Sequence, residues 1–100
     1  VVYFDGDENK YLFNNFTGLL RVKDQSKWLP KYVFYSLFAN YQKGGTRPFE
    51  NKTTGLHNLK TDSYVLSVQI NDKTIEEQTE IVNILDFLID LIYLRKQQLL

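Results

Sequence analysis

The last stretch of the chain, IEEQTEIVNILDFLIDLIYLRKQQLL, constrains the fold most, because its apolar residues recur at helical spacing and leave only a narrow polar side. The spacing predicts one long helix. Asn83, Asp86, Asp90 and Gln97 mark the polar side, which we expect to face solvent. The apolar side is wider than a small domain can cover, so the pattern predicts that a second helix packs along it.

The start of this helix and its packing face can both be predicted. Thr74 followed by Glu77 forms the capping-box pattern, in which the hydroxyl binds a free backbone N–H and the carboxylate reaches back to the cap. Glutamates in the first turns and Arg95 near the end suit the helix dipole. The residues predicted to pair with another helix follow heptad steps and are Ile81, Leu85, Leu88, Ile92 and Leu99.

The preceding residues show shorter patterns. VVYF, KYLFNNF and GLLRVK, within residues 1–24, predict three short strands. Pro30 and Gly44 bound a predicted helix in LPKYVFYSLFANYQKGG, with proline in the first turn and glycine as the left-handed cap. TRPFENKTTGLHNL follows as a polar loop. SYVLSVQI then alternates, which predicts a strand with one face formed by Tyr64, Leu66, Val68 and Ile70.

These patterns predict an α+β fold class. We expect a small, mostly antiparallel sheet with one short helix, followed by a long C-terminal helix of coiled-coil type. The expected division is a domain in residues 1–72 and a spacer or dimerisation helix in residues 73–100. A chain of 100 residues that is 43% hydrophobic and 15% aromatic can form one such domain with a modest core.

Several functional classes are made less probable by composition. The chain has no cysteine, which excludes disulfides, thiolate metal sites and a cysteine nucleophile. Its first residues do not resemble a secretion signal. The longest apolar run is interrupted by Asp86 and Asp90 and is shorter than the roughly 20 residues that a membrane helix needs. We therefore expect a cytoplasmic protein with no membrane segment.

Charge is separated along the chain although the formal net charge is zero. From Arg21 to Lys60 there are eight basic residues against two acidic ones, and from Thr61 to the end there are three basic residues against seven acidic ones. A basic middle segment of this kind is typical of a surface that meets an anionic partner.

Catalytic chemistry has little support in the residues. His57 is the only histidine, so a histidine metal cluster is excluded, and a lone loop histidine is usually a local hydrogen-bond partner. FENK, with Glu50 and Lys52, matches the end of a metal-nuclease signature but lacks its preceding strand-borne aspartate. We expect no catalytic residue, no metal and no cofactor.

The polar loop has a composition that suits a DNA groove. It combines cations for phosphates or guanine edges with amides for bases, on a backbone that contains glycine. By composition alone, a solvated surface loop is the commoner interpretation. The residues predicted to contact DNA are Lys43, Arg47 and Lys52, followed by Gln42, Asn51, Arg21, Lys23 and Lys27.

The run from Lys31 to Leu100 resembles the DNA-specificity subunit of type I restriction-modification systems. The resemblance lies in the order of a KYVFYSL helix, a glycine-containing loop, the YVLSVQI segment and EEQTEIVNILDFLIDLI. Its most telling element is Glu77-Gln78 followed by Ile81 and Leu85, which in this family opens the helix after each target recognition domain. The chain departs from the family in having INDKTIEEQ, without proline, before that helix.

The resemblance implies a non-catalytic sequence reader. In this family, target recognition domains each read half of a split site on double-stranded DNA, and paired antiparallel helices set their spacing. Methylation and cleavage belong to separate modification and restriction subunits, which would be partners. The chain would correspond to part of a recognition domain plus one spacer helix, and self-association through that helix is expected. The alternative is a protein–protein interaction or dimerisation fragment that does not bind DNA by itself.

Overall fold

The computed structural model describes residue 3, residues 20–53 and residues 56–98, with the backbone alone for residues 51–53, 56–58, 97 and 98. Three α-helices lie within these ranges: α1 (Pro30–Gln42), α2 (Thr61–Ser67) and α3 (Ile75–Gln98). A single 3-10 turn (Arg47–Phe49) and two short strands, β1 (Glu50–Thr53) and β2 (Leu56–Leu59), connect α1 to α2.

The α+β fold class predicted from the sequence is wrong, because the described residues are mostly helical. Their strand pairing is confined to one antiparallel hairpin, in which Glu50 pairs with Leu59 and Thr53 with Leu56. Such a hairpin buries too little to hold a fold together by itself. Of the three strands predicted in residues 1–24, the first two lie outside the described residues except for Tyr3, and residues 20–23 of the third form no strand.

The strand predicted in SYVLSVQI is also wrong, since residues 61–67 form α2. The alternation suggested one apolar face, but Leu66 on that face is 89% exposed and only Tyr64 is buried. The Tyr64 hydroxyl donates to Asn40 Oδ1 of α1 at 2.7 Å, and its ring meets Phe49 edge-on. Tyr64 is therefore the buried anchor of this segment, and a two-turn helix places it against α1 without a neighbouring strand.

Helix α1 forms where the sequence predicted it. Leu29 is extended and Pro30 begins the helix, where its missing N–H costs nothing. Tyr32 and Leu37 are buried, and Trp28 stacks on Tyr32 with ring centroids 6.4 Å apart. The Tyr32 hydroxyl donates to the Asn71 carbonyl at 2.8 Å, which attaches α1 to the segment before α3.

Helix α3 begins as the capping-box pattern predicted. The Glu77 N–H donates to Thr74 Oγ1 at 3.2 Å, and the Thr74 hydroxyl lies 3.3 Å from the Glu77 carboxylate. The carboxylate thus bonds the capping hydroxyl rather than the cap's backbone N–H. At 24 residues, α3 is roughly 36 Å long.

The core of the described residues is small and lies where α1 meets α2 and the first half of α3. Its buried apolar side chains are Tyr32, Leu37, Tyr64 and Val82, and its buried polar side chains are Thr46 and Gln78. No helix in the described ranges is long and apolar enough to cross a membrane.

Candidate nucleic-acid interface and pairing helix

The basic loop starts at a sharp turn that ends α1. The Gly44 N–H donates to the Tyr41 carbonyl and the Gly45 N–H to the Asn40 carbonyl, both at 2.9 Å. Gly44 takes the left-handed conformation with φ 82°, as predicted. This is the Schellman arrangement, which closes a helix by reversing the chain. The next residues therefore leave α1 directly at its C-terminal end.

The two glycines are explained by this turn rather than by the approach of a DNA backbone. A Cβ on Gly45 would lie 2.3 Å from Asn40 Oδ1, the atom that accepts the Tyr64 hydrogen bond. A Cβ on Gly44 would lie 3.2 Å from Arg47 Nε, so the Arg47 side chain runs back across the turn. Gly44 is needed for its backbone angle and Gly45 for the space that Asn40 occupies.

Three of the predicted DNA-contacting residues come together at this turn. Gln42 is the last residue of α1, Lys43 follows it, and Arg47 begins the 3-10 turn; all three side chains are exposed. Asn51 and Lys52 follow on β1, where their backbones pair with Asn58 and His57. The side chains of Asn51 and Lys52 lie outside the described part of the chain.

The remaining predicted cations belong to a different part of the molecule. Arg21, Lys23 and Lys27 are exposed in the segment before α1. This segment is attached to the start of α3, because the Lys27 carbonyl accepts a hydrogen bond from Gln78 Nε2 at 2.9 Å. The sequence ranked these three cations below Lys43, Arg47 and Lys52, and in the structure they precede the start of α1 whereas the loop residues follow its end.

Gln78 is the side chain that holds α3 to the segment before α1, and it is 0% exposed. Its Oε1 accepts from the Leu29 N–H at 2.8 Å, while Nε2 donates to the carbonyls of Lys27 and Lys73, both at 2.9 Å. These three bonds use both amide hydrogens and the amide oxygen. Gln78 entered the sequence argument only through the resemblance to a family motif, and its contacts with the segment before α1 were missed.

A second attachment lies two turns further along α3. Asp86 Oδ2 accepts from Lys31 Nζ at 2.9 Å, and Asp86 Oδ1 accepts from the Tyr35 hydroxyl. Asp86, predicted on the solvent-facing side, is only about a third exposed, because its carboxylate bonds to α1. Burial raises the pKa of Tyr35 to about 12, with the bonded carboxylate adding to the effect. The bonds from Tyr35 and then Lys31 lower the pKa of Asp86. At neutral pH the phenol remains a donor and the carboxylate an acceptor.

The two halves of α3 differ in their surroundings, and we call Ile75–Asp86 the proximal half and Phe87–Gln98 the distal half. The proximal half contains the buried residues Gln78 and Val82. Every described side chain of the distal half is exposed, including Phe87 at 64% and Ile92 at 56%. The large apolar side chains exposed on α3 include Ile84, Phe87, Leu88, Ile89, Leu91, Ile92 and Leu94.

The heptad residues predicted for pairing are divided between these halves. Ile81 and Leu85 are half-buried in the proximal half. Leu88 and Ile92 are exposed in the distal half, and Leu99 lies outside the described residues. The heptad seam is thus partly covered by the chain itself at its start and uncovered further along.

The described residues contain no group of three or more histidine, aspartate and glutamate side chains placed to hold a metal ion. Glu50 and His57, which the sequence raised as possible sources of chemistry, both lie on the hairpin. The side chain of His57 is outside the described part, as is that of Lys52.

Comparisons of this chain with protein-family models, with curated proteins and with solved structures give no match. The resemblance to restriction specificity subunits therefore stays a prediction from the sequence.

Proposed function

We propose that this chain is a non-catalytic DNA-specificity component, or a fragment of one, of a type I restriction-modification system in the cytoplasm. Its basic loop contacts duplex DNA, and the distal half of α3 pairs with a second copy of the chain. The modification subunit, and possibly a restriction subunit, would carry the chemistry. The observation that carries the DNA contact is the pair of exposed cations, Lys43 and Arg47, at the turn that ends α1, and the exposed apolar side chains of the distal half carry the pairing.

An uncovered surface of this kind favours a protein partner. Soluble monomers rarely expose large contiguous apolar patches, and an amphipathic helix covers its apolar side by packing against another helix. The charges suit a second copy in antiparallel orientation. Arg95 and Lys96 are both exposed near the end of α3. Parallel pairing of two distal halves would place these cations side by side, whereas antiparallel pairing separates them.

Contact with DNA is supported by the side chains at the end of α1. Lys43 and Arg47 are exposed within five residues of each other, and Gln42 beside them offers an amide. The Schellman turn fixes the backbone from which Lys43 and Arg47 project. Two cations held at one turn can meet neighbouring phosphates, and a third on β1 at Lys52 would extend the surface.

Fluorescence anisotropy on random DNA duplexes at low and physiological salt tests this contact. We expect binding that weakens steeply with salt, because lysine and arginine contacts release counterions from the phosphates. Arg47→Ala and Lys43→Ala should each weaken binding and lower the salt slope by about 1. Lys73→Ala is the control, because the Lys73 side chain is exposed before the start of α3 and its Nζ approaches the Glu77 carboxylate at 3.9 Å. Equal binding by all four proteins would contradict the assignment of the loop.

The second candidate is an interaction module that pairs through α3 without contacting DNA. The exposed distal half favours it as strongly as it favours the first candidate, since pairing is common to both. Light scattering at tens of micromolar separates the outcomes when combined with the anisotropy titration. A dimer that binds DNA supports the first candidate, a dimer without DNA binding supports the second, and a monomer contradicts pairing in both.

A further inference from the structure

Two polar side chains bond α3 to the rest of the molecule, one on each side of the buried Val82. Gln78 attaches the helix near its start, and Asp86 attaches it eight residues later. At the rise of an α-helix, these attachments are about 12 Å apart. Gln78 and the buried Val82 hold only the first two turns of α3, so the tilt of the helix beyond them needs a further contact. Two attachments along the helix define an axis.

The second attachment is suited to fixing an angle. Lys31 and Tyr35 are one turn apart on α1, so their donors reach Asp86 from two positions on the same helix face. Each oxygen of the carboxylate accepts from a different donor. The Lys31 and Asp86 side chains are about a third exposed, so the pair adds little to stability. Its geometric effect is larger, because Asp86 is the last residue with a described side chain on α3 that is not exposed.

A small tilt of α3 at Asp86 would be amplified along the distal half. Its 12 residues are about 18 Å long, so a tilt of about 10° at Asp86 would move the end of α3 by about 3 Å. In a pair of chains joined through their distal halves, such a tilt would change the separation of the two basic loops. This consequence rests on the proposed function, whereas the orientation of α3 does not.

We infer that Asp86, held by Tyr35 and Lys31, is a positioning residue that fixes the orientation of the distal half of α3 relative to α1. Through that orientation it sets the spacing between the two DNA-contacting loops of a pair. The positioning depends on a carboxylate at residue 86, where it can accept from both Tyr35 and Lys31. Asp90, one turn further on, has an exposed side chain and is the natural comparison.

Electron spin resonance distance measurements on the full chain test this inference. The sequence contains no cysteine, so Lys43→Cys and Arg95→Cys place one spin label at the end of α1 and one on the distal half. Dilution with unlabelled chain removes distances between two labelled copies. We expect a single narrow distance for the otherwise unchanged chain and for Asp90→Asn. Asp86→Asn should lose that narrow peak while its helix content, measured by circular dichroism, is retained.

Tyr35→Phe provides a second variant, since it removes one donor to Asp86 and keeps the ring. If Asp86→Asn fails to fold, Tyr35→Phe should still broaden the distance. A narrow, unshifted distance in each folded variant would overturn the inference. The outcome is separate from that of the proposed function: a broadened distance in a chain that binds no DNA would retain the positioning role and reject DNA reading. Conversely, unchanged spin-label distances in the variants of a chain that binds DNA would reject the positioning role and retain DNA reading.

Discussion

The proximal and distal halves of α3 belong to one continuous helix but are stabilised in different ways. The proximal half is capped by Thr74, holds Gln78 in a fully buried position and bonds to α1 through Asp86. The distal half has an exposed side chain at each described position and is rich in large apolar residues. The first half is specified by polar bonds within the chain, whereas the second half has the composition of an interface.

This difference shows that an apolar helix face need not be used in the same way along its length. Uniform heptad spacing suggested one seam for one partner. In the structure, the proximal half of α3 packs against α1 of the same chain, and the described side chains of the distal half are exposed. Polar residues mark the change, since Gln78 and Asp86 make the specific contacts and no described residue after Asp86 is buried.

Replacing Gln78 should have the largest effect. Gln78→Glu keeps the size and the acceptor for the Leu29 N–H but turns Nε2 into an oxygen facing two carbonyls. A buried carboxylate with the Leu29 N–H as its one donor and two carbonyl oxygens against it should lower the free energy of unfolding by about 3 kcal/mol or more. Urea denaturation followed by Trp28 fluorescence measures it, because Trp28 is the only tryptophan and lies between Lys27 and Leu29. Gln69→Glu makes the same charge change at an exposed position and should be nearly neutral.

If Gln78→Glu and Gln69→Glu had equal stability, the buried amide of Gln78 would not stabilise the proximal half. That result would contradict the statement that the two halves are stabilised in different ways.

Charges placed on the distal half should have the next largest effect, and on association rather than on folding. Leu88→Lys with Ile92→Lys removes two exposed apolar side chains from each copy. Burial of each is worth about 1.5–3 kcal/mol, so the dissociation constant of the pair should rise by at least about 100-fold. Sedimentation velocity measures the change. Leu66→Lys, on the exposed side of α2, should leave association unchanged.

A pair that survives the Leu88 and Ile92 changes but dissociates with Leu66→Lys would place the interface on α2 instead.

Local chemistry was the part of the fold that the sequence predicted well. Pro30, Gly44 and Thr74 each act through their own backbone or the next turn, and each marks a helix boundary at the predicted place. Such residues need no knowledge of distant partners. The strand predicted around Tyr64 failed because its conformation depends on Asn40, which is 24 residues away.

The candidate site was predictable only in part for the same reason. Lys43 and Arg47 could be grouped because they are close in sequence and the turn keeps them together. Gln78 and Asp86 were missed as contacts, since their partners lie about fifty residues earlier. A carboxylate inside an apolar run is costly unless it is exposed or paired, so Asp86 could have been read either way. Whether Asp86 is exposed or paired depends on where α1 lies, and the sequence does not show that position.

Loss of the helix cap should have a smaller effect than either change above. Thr74→Ala removes the oxygen that accepts from the Glu77 N–H, and it should lower the free energy of unfolding by about 1 kcal/mol. Thermal denaturation followed by circular dichroism measures it. Thr79→Ala is a matched control, since the Thr79 hydroxyl only bonds the Ile75 carbonyl within the helix, and this change should be neutral or slightly stabilising. Equal losses for both variants would show that the start of α3 is held by its tertiary contacts and not by its cap.

Acid should weaken the contact at Asp86 and give the smallest effect. The Tyr35 and Lys31 bonds hold the pKa of Asp86 below its ordinary value of 3.8. A carboxyl group with a lowered pKa contributes stability that is fully present above the unfolded value and is lost as pH falls through the folded value. The loss attributable to Asp86 should therefore begin below about pH 4 and be absent in Asp86→Asn.

Asp24, whose pKa is lowered by Ser26, must be tested in parallel as Asp24→Asn. Because Asp24 lies before α1, the spin-label distance between α1 and the distal half separates the two groups. Protonation of Asp86 broadens that distance, whereas protonation of Asp24 leaves it unchanged. If the distance stayed narrow down to the pH at which the whole chain unfolds, the Asp86 contact would not be what orients the distal half.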